Sequence, residues 1–346
     1  MNSEHLDLAA KYGLQLLDYC GGGAFGDVYF CKDISDKTMV LKIISKKKIG
    51  DSWQKELNGV KKYREITENN PELLKLFYVA EDDKNFFYTM EAADSVCKTE
   101  YIPDSLALRL KSGALPPEEL LPVLSGILHN IKLIHSANSA HRDIKPDNIL
   151  FKNGVPKLAD IGLVSSLDNT MTMLAGTADF IPPEVRSAGA SYYSDPQSRQ
   201  RNDLYAFGKV IYCAATGMDA GEYPATPPEM PLDSLPLKLF LQLSYELCSK
   251  DRISRLDSLE KLENEFEAIN RKLLHGETFL DKQSYLLKQC FKIRYGLIFA
   301  VLCILCCICI CFCKRCHKIT FFEKICKDCI IKFNNLPLTK KLKLFH

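Results

Sequence analysis

A short polar run in the middle of the chain places two carboxylates, a lysine and an amide at close spacing. It reads His-Arg-Asp-Ile-Lys-Pro-Asp-Asn over residues 141–148, and Asp160 follows Asn148 by twelve residues, within an Asp-Ile-Gly triplet. An isolated aspartate in a loop is usually a turn former or a helix cap, but this ordered set has no comparably simple structural explanation. Asp143, Lys145 and Asn148 offer a proton acceptor, a cation and an oxygen ligand suited to Mg²⁺. Phosphoryl transfer to a hydroxyl requires these parts.

A glycine run near the N-terminus has the spacing G-x-G-x-x-G-x-V over residues 21–28. Glycines permit positive φ and let backbone N–H groups approach phosphate oxygens closely. Dinucleotide-binding folds share this spacing but continue into a helix, whereas the strand-like VYFCK follows here. A plain glycine-rich hairpin is the structural alternative. The residues expected to contact a nucleotide are Gly21, Gly22, Gly23, Ala24, Phe25 and Gly26.

A lysine ends the apolar strand Met39-Val40-Leu41-Lys42. By itself it would be interpreted as a surface lysine, but the preceding glycine run favours a phosphate contact. Glu56, fourteen residues on, lies on the polar side of a predicted helix and could hold the Lys42 ammonium, which needs an anionic partner.

Hydrophobic periodicity predicts a strand-rich part with one helix over residues 12–95, and helices from about residue 116 onward. The predicted strands are Tyr12–Tyr19, Asp27–Lys32, Thr38–Ile44, Phe77–Val79 and Phe86–Met90. The predicted helices are Ser52–Thr67, Pro117–Ser136, Asp203–Thr216, Leu237–Ser249 and Asp257–Leu274. A small β-rich lobe followed by a larger helical lobe is therefore expected.

Taken together, the motifs resemble those of the eukaryotic-type (Hanks-type) serine/threonine protein kinases. The resemblance covers residues 12–270 and includes three later landmarks: Ile181-Pro182-Pro183-Glu184, the Asp203–Gly208 segment, and Asp251 with Arg255. In the family this last arginine pairs with the glutamate that corresponds to Glu184. The resemblance implies an α+β, bilobal kinase fold that uses ATP with Mg²⁺ (or Mn²⁺) and acts on protein serine or threonine hydroxyls.

The resemblance also implies a role for each matching residue. Asp143 would accept the hydroxyl proton and Lys145 would neutralise charge on the γ-phosphate, while Asn148 and Asp160 would hold the metal. Lys42 would contact the α- and β-phosphates and pair with Glu56. The residues implied at the adenine are Val28, Val40 and Leu150 on its two faces, Met90 as gatekeeper and Glu91 at the start of the hinge.

Lys145 and Thr177 favour the serine/threonine class over the tyrosine class. Three residues depart from the family pattern: Ile161 in place of phenylalanine, Pro182 in place of alanine, and Val40 in place of alanine. None of them supplies a metal ligand, a base or a phosphate-binding lysine, so a catalytic protein is expected. The alternatives are a membrane-anchored pseudokinase scaffold and a nucleotide sensor. The long connector 92–103 resembles that of some bacterial members of the family.

The loop from Asp160 to Glu184 is rich in hydroxyl side chains. Arg142 before the catalytic aspartate marks family members whose loop is ordered by phosphorylation, because a phosphate can pair with the guanidinium. We expect autophosphorylation at Thr170 or Thr172, with self-association as its route. A loop rich in serine and threonine for solvation alone is the other interpretation.

Residues 295–313 are 19 residues without a charge, which would span about 28 Å as a helix and match the hydrocarbon core of a bilayer. Residues 295–346 carry 9 Lys/Arg and 2 Asp/Glu, so the remaining 294 residues carry 36 and 41, a balance of −5. That main part is not expected to bind nucleic acid, whereas the basic tail suits lipid headgroups. The expected organisation is an N-terminal extension (1–11), a kinase domain (12–270), a juxtamembrane linker (271–294), a transmembrane segment (295–313) and a basic cysteine-containing tail (314–346).

The favoured interpretation of residues 295–313 is a single-pass transmembrane helix with the kinase domain in the cytoplasm. A monotopic or re-entrant anchor and a buried core helix are the alternatives, and the lysine and arginine distribution leaves the side of the tail open. Seven cysteines lie in residues 303–316, where apolar filling, acylation, disulfides and a zinc site formed with Cys326 and Cys329 all remain open.

Overall fold

The computed structural model describes residues 2–22, 26–159, 178–188, 196–230 and 234–275. Apart from His275 these residues belong to one unit, Met1–Leu274. The predictions for Gly23, Ala24, Phe25 and Asp160, for the loop threonines and for the segment 295–313 lie outside them. Within the described ranges no helix is both long and apolar enough to cross a membrane.

The N-terminal lobe is built on a five-stranded antiparallel sheet with the strand order β1-β2-β3-β5-β4. Its strands are β1 (Leu14–Gly22), β2 (Asp27–Asp33), β3 (Thr38–Ser45), β4 (Leu76–Glu81) and β5 (Asn85–Met90). These bounds confirm the five strands expected from the alternating apolar pattern, with ends that shift by a few residues.

The two faces of this sheet enter two separate hydrophobic clusters, because successive side chains on a strand point in opposite directions. On β3, Val40 and Ile44 belong to the large core that also includes helix α3 (Trp53–Glu68). Leu41 and Ile43, on the other face, belong to a second cluster. The side chains of the inner face therefore pack into the large core. Those of the outer face need another element to bury them.

A helix at the N-terminus, α1 (Ser3–Lys11), is that element. Leu8 and Ala9 belong to the outer cluster together with Leu41 and Ile43. Residues 1–11 were expected to form an N-terminal extension ahead of the kinase domain. The burial of Leu8 and Ala9 against the sheet gives this segment a structural role.

The C-terminal lobe is helical, with one small hairpin. After α2 (Lys46–Ile49) and α3, the helices are α4 (Leu106–Leu110), α5 (Pro117–Ser136), α6 (Pro183–Ala188), α7 (Pro196–Thr216), α8 (Leu235–Leu247) and α9 (Leu259–His275). The hairpin pairs β6 (Ile149–Lys152) with β7 (Val155–Leu158). The bilobal α+β architecture expected from the sequence is present, and α5 has the predicted bounds.

Candidate active site

The catalytic segment connects α5 to β6 and includes a 3-10 turn at Pro146–Asn148. This turn brings the Asn148 side chain back onto Asp143: its Nδ2 donates to the Asp143 backbone oxygen at 2.8 Å and to Oδ2 at 2.7 Å. The Lys145 Nζ lies 3.0 Å from the same Oδ2. Three residues predicted to act together are thus in direct contact.

A buried carboxylate on α7 accepts hydrogen bonds from the backbone of this segment. Asp203, 1% exposed, accepts the backbone N–H of His141 at Oδ2 and that of Arg142 at Oδ1, each at 2.7 Å. His135, on α5, lies 2.9 Å from the same Oδ2 through its Nε2. Arg142 has a positive φ of 72°, a conformation that L-residues rarely adopt without outside support. The two N–H contacts provide such support.

The predicted adenine-facing residues come from adjacent strands. In the sheet register Val28 lies opposite Lys42, and Val40 lies opposite Met90. Val40 and Met90 are buried in the large core, and Val28 packs against it. Leu150, on β6, also packs against this core from the other lobe. All four side chains thus border or belong to the large core, and their contact with adenine remains a prediction.

The connection between the lobes is fixed by two sets of contacts. Glu91 forms an ion pair of 2.9 Å with Lys157 on β7, and its backbone N–H donates to the Lys75 oxygen at 2.8 Å. The long connector then folds back on itself, where Val96 N–H donates to the Ile102 oxygen at 3.0 Å. We call residues 95–103, closed by the bridge between Ser95 and Pro103, the connector hairpin.

The connector hairpin packs onto the N-terminal lobe through Tyr101. Its ring stacks on that of Phe30 with centroids 4.1 Å apart and an interplanar angle of 7°. Its backbone N–H donates to Asp18 Oδ2 at 3.0 Å. Burial raises the pKa of the Tyr101 hydroxyl, which donates to the Ala93 oxygen at 3.4 Å.

The described glycines of the phosphate loop occupy positions where a side chain would not fit well. Gly21 has φ +138°, and a Cβ on Gly26 would lie 2.3 Å from the backbone oxygen of Ile43. A Cβ on Gly22 would lie 2.4 Å from the Tyr19 hydroxyl oxygen. The positive φ therefore accounts for glycine at position 21, and the close approach of the Ile43 backbone accounts for it at position 26.

Lys42 lies on β3, and Glu56 lies in the first turn of α3, the helix that packs beneath the sheet. The Glu56 side chain is buried, with 5% of its surface exposed. A buried carboxylate requires a charged or hydrogen-bonding partner. The pairing with Lys42 remains a prediction.

The pairing between Glu184 and Arg255 that the resemblance implied is present. The Arg255 guanidinium donates to both carboxylate oxygens of Glu184, with Nη2 at 3.2 Å from Oε2. Burial alone would raise the pKa of Glu184, but the hydrogen bond from Arg255 and the charges of Arg255 and Arg252 outweigh it. The Glu184 pKa therefore lies below its ordinary value of 4.5.

The donor set at the catalytic turn fits a hard divalent cation. Because the Asn148 NH₂ group donates to Asp143, its amide oxygen is the atom left to ligate a metal. Mg²⁺ prefers such oxygen ligands together with water. The second predicted ligand, Asp160, lies outside the described ranges.

Family comparison agrees with this geometry. The sequence pattern of the family described as "Protein kinase domain" matches residues 14–272. The chain belongs to the protein kinase family. The matched range includes all five sheet strands, the catalytic segment and the partners Glu184 and Arg255.

Several bacterial kinases are similar to this one. It is 26% identical over 214 residues to the serine/threonine-protein kinase PrkC of Bacillus subtilis, a match that covers 59% of this chain and 30% of PrkC. It is 28% identical over 236 residues to serine/threonine-protein kinase D of Synechocystis, covering 62% and 42%. It is 31% identical over 223 residues to PknL of Mycobacterium tuberculosis, covering 61% and 50%. The matched part of this kinase thus spans half or less of the length of these relatives.

Four contacts of the site were not foreseen from the sequence: those of Asp203 with the catalytic segment, His135 with Asp203, Lys157 with Glu91, and Tyr101 with Phe30. Asp203 was expected only as the first residue of the Asp203–Gly208 landmark, with no contact assigned to it. The other residues follow no motif, since each is defined by a partner distant in sequence.

Proposed function

We propose that this kinase transfers the γ-phosphate of ATP to serine or threonine hydroxyls of proteins, with Asp143 as the base. The observation that carries the proposal is the triangle at the catalytic turn, where Asn148 and Lys145 contact Asp143 Oδ2 at 2.7 and 3.0 Å. The similarity to PrkC, kinase D and PknL, which are serine/threonine-protein kinases by name, supports the serine/threonine class.

Each residue of the triangle has a distinct task in this proposal. The Asp143 carboxylate receives the acceptor hydroxyl's proton, and its hydrogen bond from Asn148 fixes its orientation. Lys145, whose ammonium lies 3.0 Å from Asp143 Oδ2, would neutralise charge on the γ-phosphate. Asn148 and Asp160 would hold Mg²⁺, which supplies charge neutralisation for the phosphates when bound.

A transfer assay tests the proposal. The full chain is incubated with ATP, Mg²⁺ and a generic basic protein, beside Asp143→Asn and the exposed control Asp83→Asn. We expect phosphoserine and phosphothreonine from the wild type and the control, and slower formation of both, by about 100-fold or more, from Asp143→Asn. Nucleotide binding by the wild type without transfer would favour a sensor or a pseudokinase scaffold instead, and phosphotyrosine would overturn the assigned class.

We also propose that residues 295–313 anchor the kinase in a membrane as a single-pass helix, with the kinase domain on the cytoplasmic side. The support is the 19-residue uncharged stretch followed by a basic tail. The full chain should remain with membranes after alkaline carbonate extraction, whereas residues 1–275 should be released. Release of both would overturn the anchor.

We propose further that activation involves autophosphorylation at Thr170 or Thr172. Mass spectrometry of active protein should find phosphate at one of them, and none in Asp143→Asn. Fully active protein without phosphate in this loop would contradict the proposal.

A further inference from the structure

The helix α1 covers the outer face of the N-terminal sheet beside the glycine run. Its one polar residue directed inward is His5, 9% exposed, next to Tyr29 on β2, which is 2% exposed. His5 Nδ1 and the Tyr29 hydroxyl lie 2.8 Å apart, and the two rings meet edge-on with centroids at 5.6 Å. The helix is thus fixed to β2 by a buried polar contact as well as by apolar packing.

This contact continues toward the phosphate loop through Asp27. The His5 Nδ1 lies 3.9 Å from Asp27 Oδ2, while the Tyr19 hydroxyl donates to Asp27 Oδ1 at 3.1 Å. The Asp27 carboxylate therefore faces α1 through Oδ2, and through Oδ1 it accepts a hydrogen bond from Tyr19 near the end of β1.

Asp27 is placed where such a contact can act on the loop. It follows Gly26 directly, and it pairs with Gly22 across the β1–β2 hairpin. The hydrogen bond from Tyr19 to Asp27 lies against the Gly22 backbone, because a Cβ there would come within 2.4 Å of the Tyr19 oxygen and 2.6 Å of Asp27 Oδ1. Asp27 therefore contacts both strands at the base of the glycine run.

We propose that α1 positions the two ends of the glycine run, Gly22 and Gly26, for the nucleotide phosphates, with His5 and Asp27 as the positioning residues. The inference rests on the proposed function, in which the backbone N–H groups of this loop contact ATP phosphates. Such contacts require a fixed loop backbone, since a shift of the N–H groups weakens every phosphate hydrogen bond. The adenine contacts predicted for Val40, Met90 and Leu150 lie on other elements and are independent of the loop.

Because phosphate and adenine contacts come from different elements, the test compares the affinity for a ligand with phosphates to the affinity for one without them. Binding of two probes, a non-hydrolysable ATP analogue with Mg²⁺ and adenosine, is measured by calorimetry on the full chain. The variants are His5→Ala and Asp27→Asn, with His5→Asn to restore a polar atom near the Nδ1 position. Asp7→Ala, an exposed substitution on the same helix, is the matched control.

Both His5→Ala and Asp27→Asn should weaken binding of the analogue about fivefold and leave adenosine affinity within about twofold, because each alters a polar contact that orients the base of the glycine run. His5→Asn should recover most of the loss, and Asp7→Ala should match the wild type. Asp27 lies outside α1, on β2, so Asp27→Asn stays informative if His5→Ala unfolds. In steady-state assays the KM for ATP should rise while kcat stays constant.

Equal weakening of both probes, or no weakening of the analogue, would overturn the positioning role. A wild type that binds the analogue but transfers no phosphate contradicts only the proposed function, because the binding comparison still tests α1. A wild type that binds neither probe would overturn both.

Discussion

Asp203 shows how one buried carboxylate fixes the position of the catalytic aspartate. It accepts two backbone N–H groups at 2.7 Å, from His141 and Arg142, and contacts His135 at 2.9 Å. Asp203→Asn replaces one acceptor oxygen with an NH₂ group that faces a donor. We expect the free energy of unfolding to fall by about 2–3 kcal/mol, and phosphate transfer to slow at least tenfold.

Chemical denaturation and kcat of the full chain measure these effects, with Asp83→Asn as an exposed control. A variant with wild-type stability and rate would show that the catalytic segment keeps its conformation without this anchor.

The pair of Glu184 and Arg255 predicts a dependence of stability on pH. Because the pKa of Glu184 is lowered in the folded state, its ionised form adds stability above about pH 4.5, and this contribution is lost as the pH falls through the folded pKa. The unfolding free energy of the wild type should therefore fall more steeply than that of Glu184→Gln from neutral pH to about pH 3. Glu118→Gln, exposed on α5, should keep the wild-type slope. Identical slopes for all three proteins would contradict the stabilisation of ionised Glu184 by Arg255.

At the scale of elements, the connector hairpin joins the hinge to the outer strands of the N-terminal lobe. Tyr101→Ala removes a ring that is 9% exposed and stacked on Phe30. We expect a loss of about 2–3 kcal/mol in unfolding free energy and weaker nucleotide binding, because the hairpin begins where the hinge ends. Val96→Ala, an exposed position in the same hairpin, should change neither quantity. Unaltered nucleotide affinity in Tyr101→Ala would show that the hairpin serves stability alone.

Elements with strong periodicity were predictable, whereas shorter or weaker ones were missed, among them α1 and the β6–β7 hairpin. The sequence contains signals for both. His5, Leu8 and Ala9 have helical spacing after the cap Asn2, whose side chain accepts from Glu4 N–H. Asn153-Gly154, both with positive φ, form the two-residue turn between β6 and β7. These elements are short and rich in polar residues, so their periodic patterns are weaker than those of the longer helices and strands.

For the molecule as a whole, the sequence predicted which residues form the site better than how they are held. Asp143, Lys145 and Asn148 lie within six residues, so local turn chemistry brings them together. Asp203 and Tyr101 reach their partners only through packing between distant parts of the chain. Spacing along the sequence does not predict contacts between residues that are distant in sequence, so these contacts are known only from the structure.

The measurement that most directly tests the central claim is single-turnover phosphate transfer by Asp143→Asn compared with the wild type, beside the affinity of each for an ATP analogue. We expect transfer to slow by about 100-fold or more while analogue affinity stays within about threefold, because Asp143 acts on the acceptor proton and not on nucleotide binding. Equal transfer rates in the two proteins would contradict the role of Asp143 as the catalytic base.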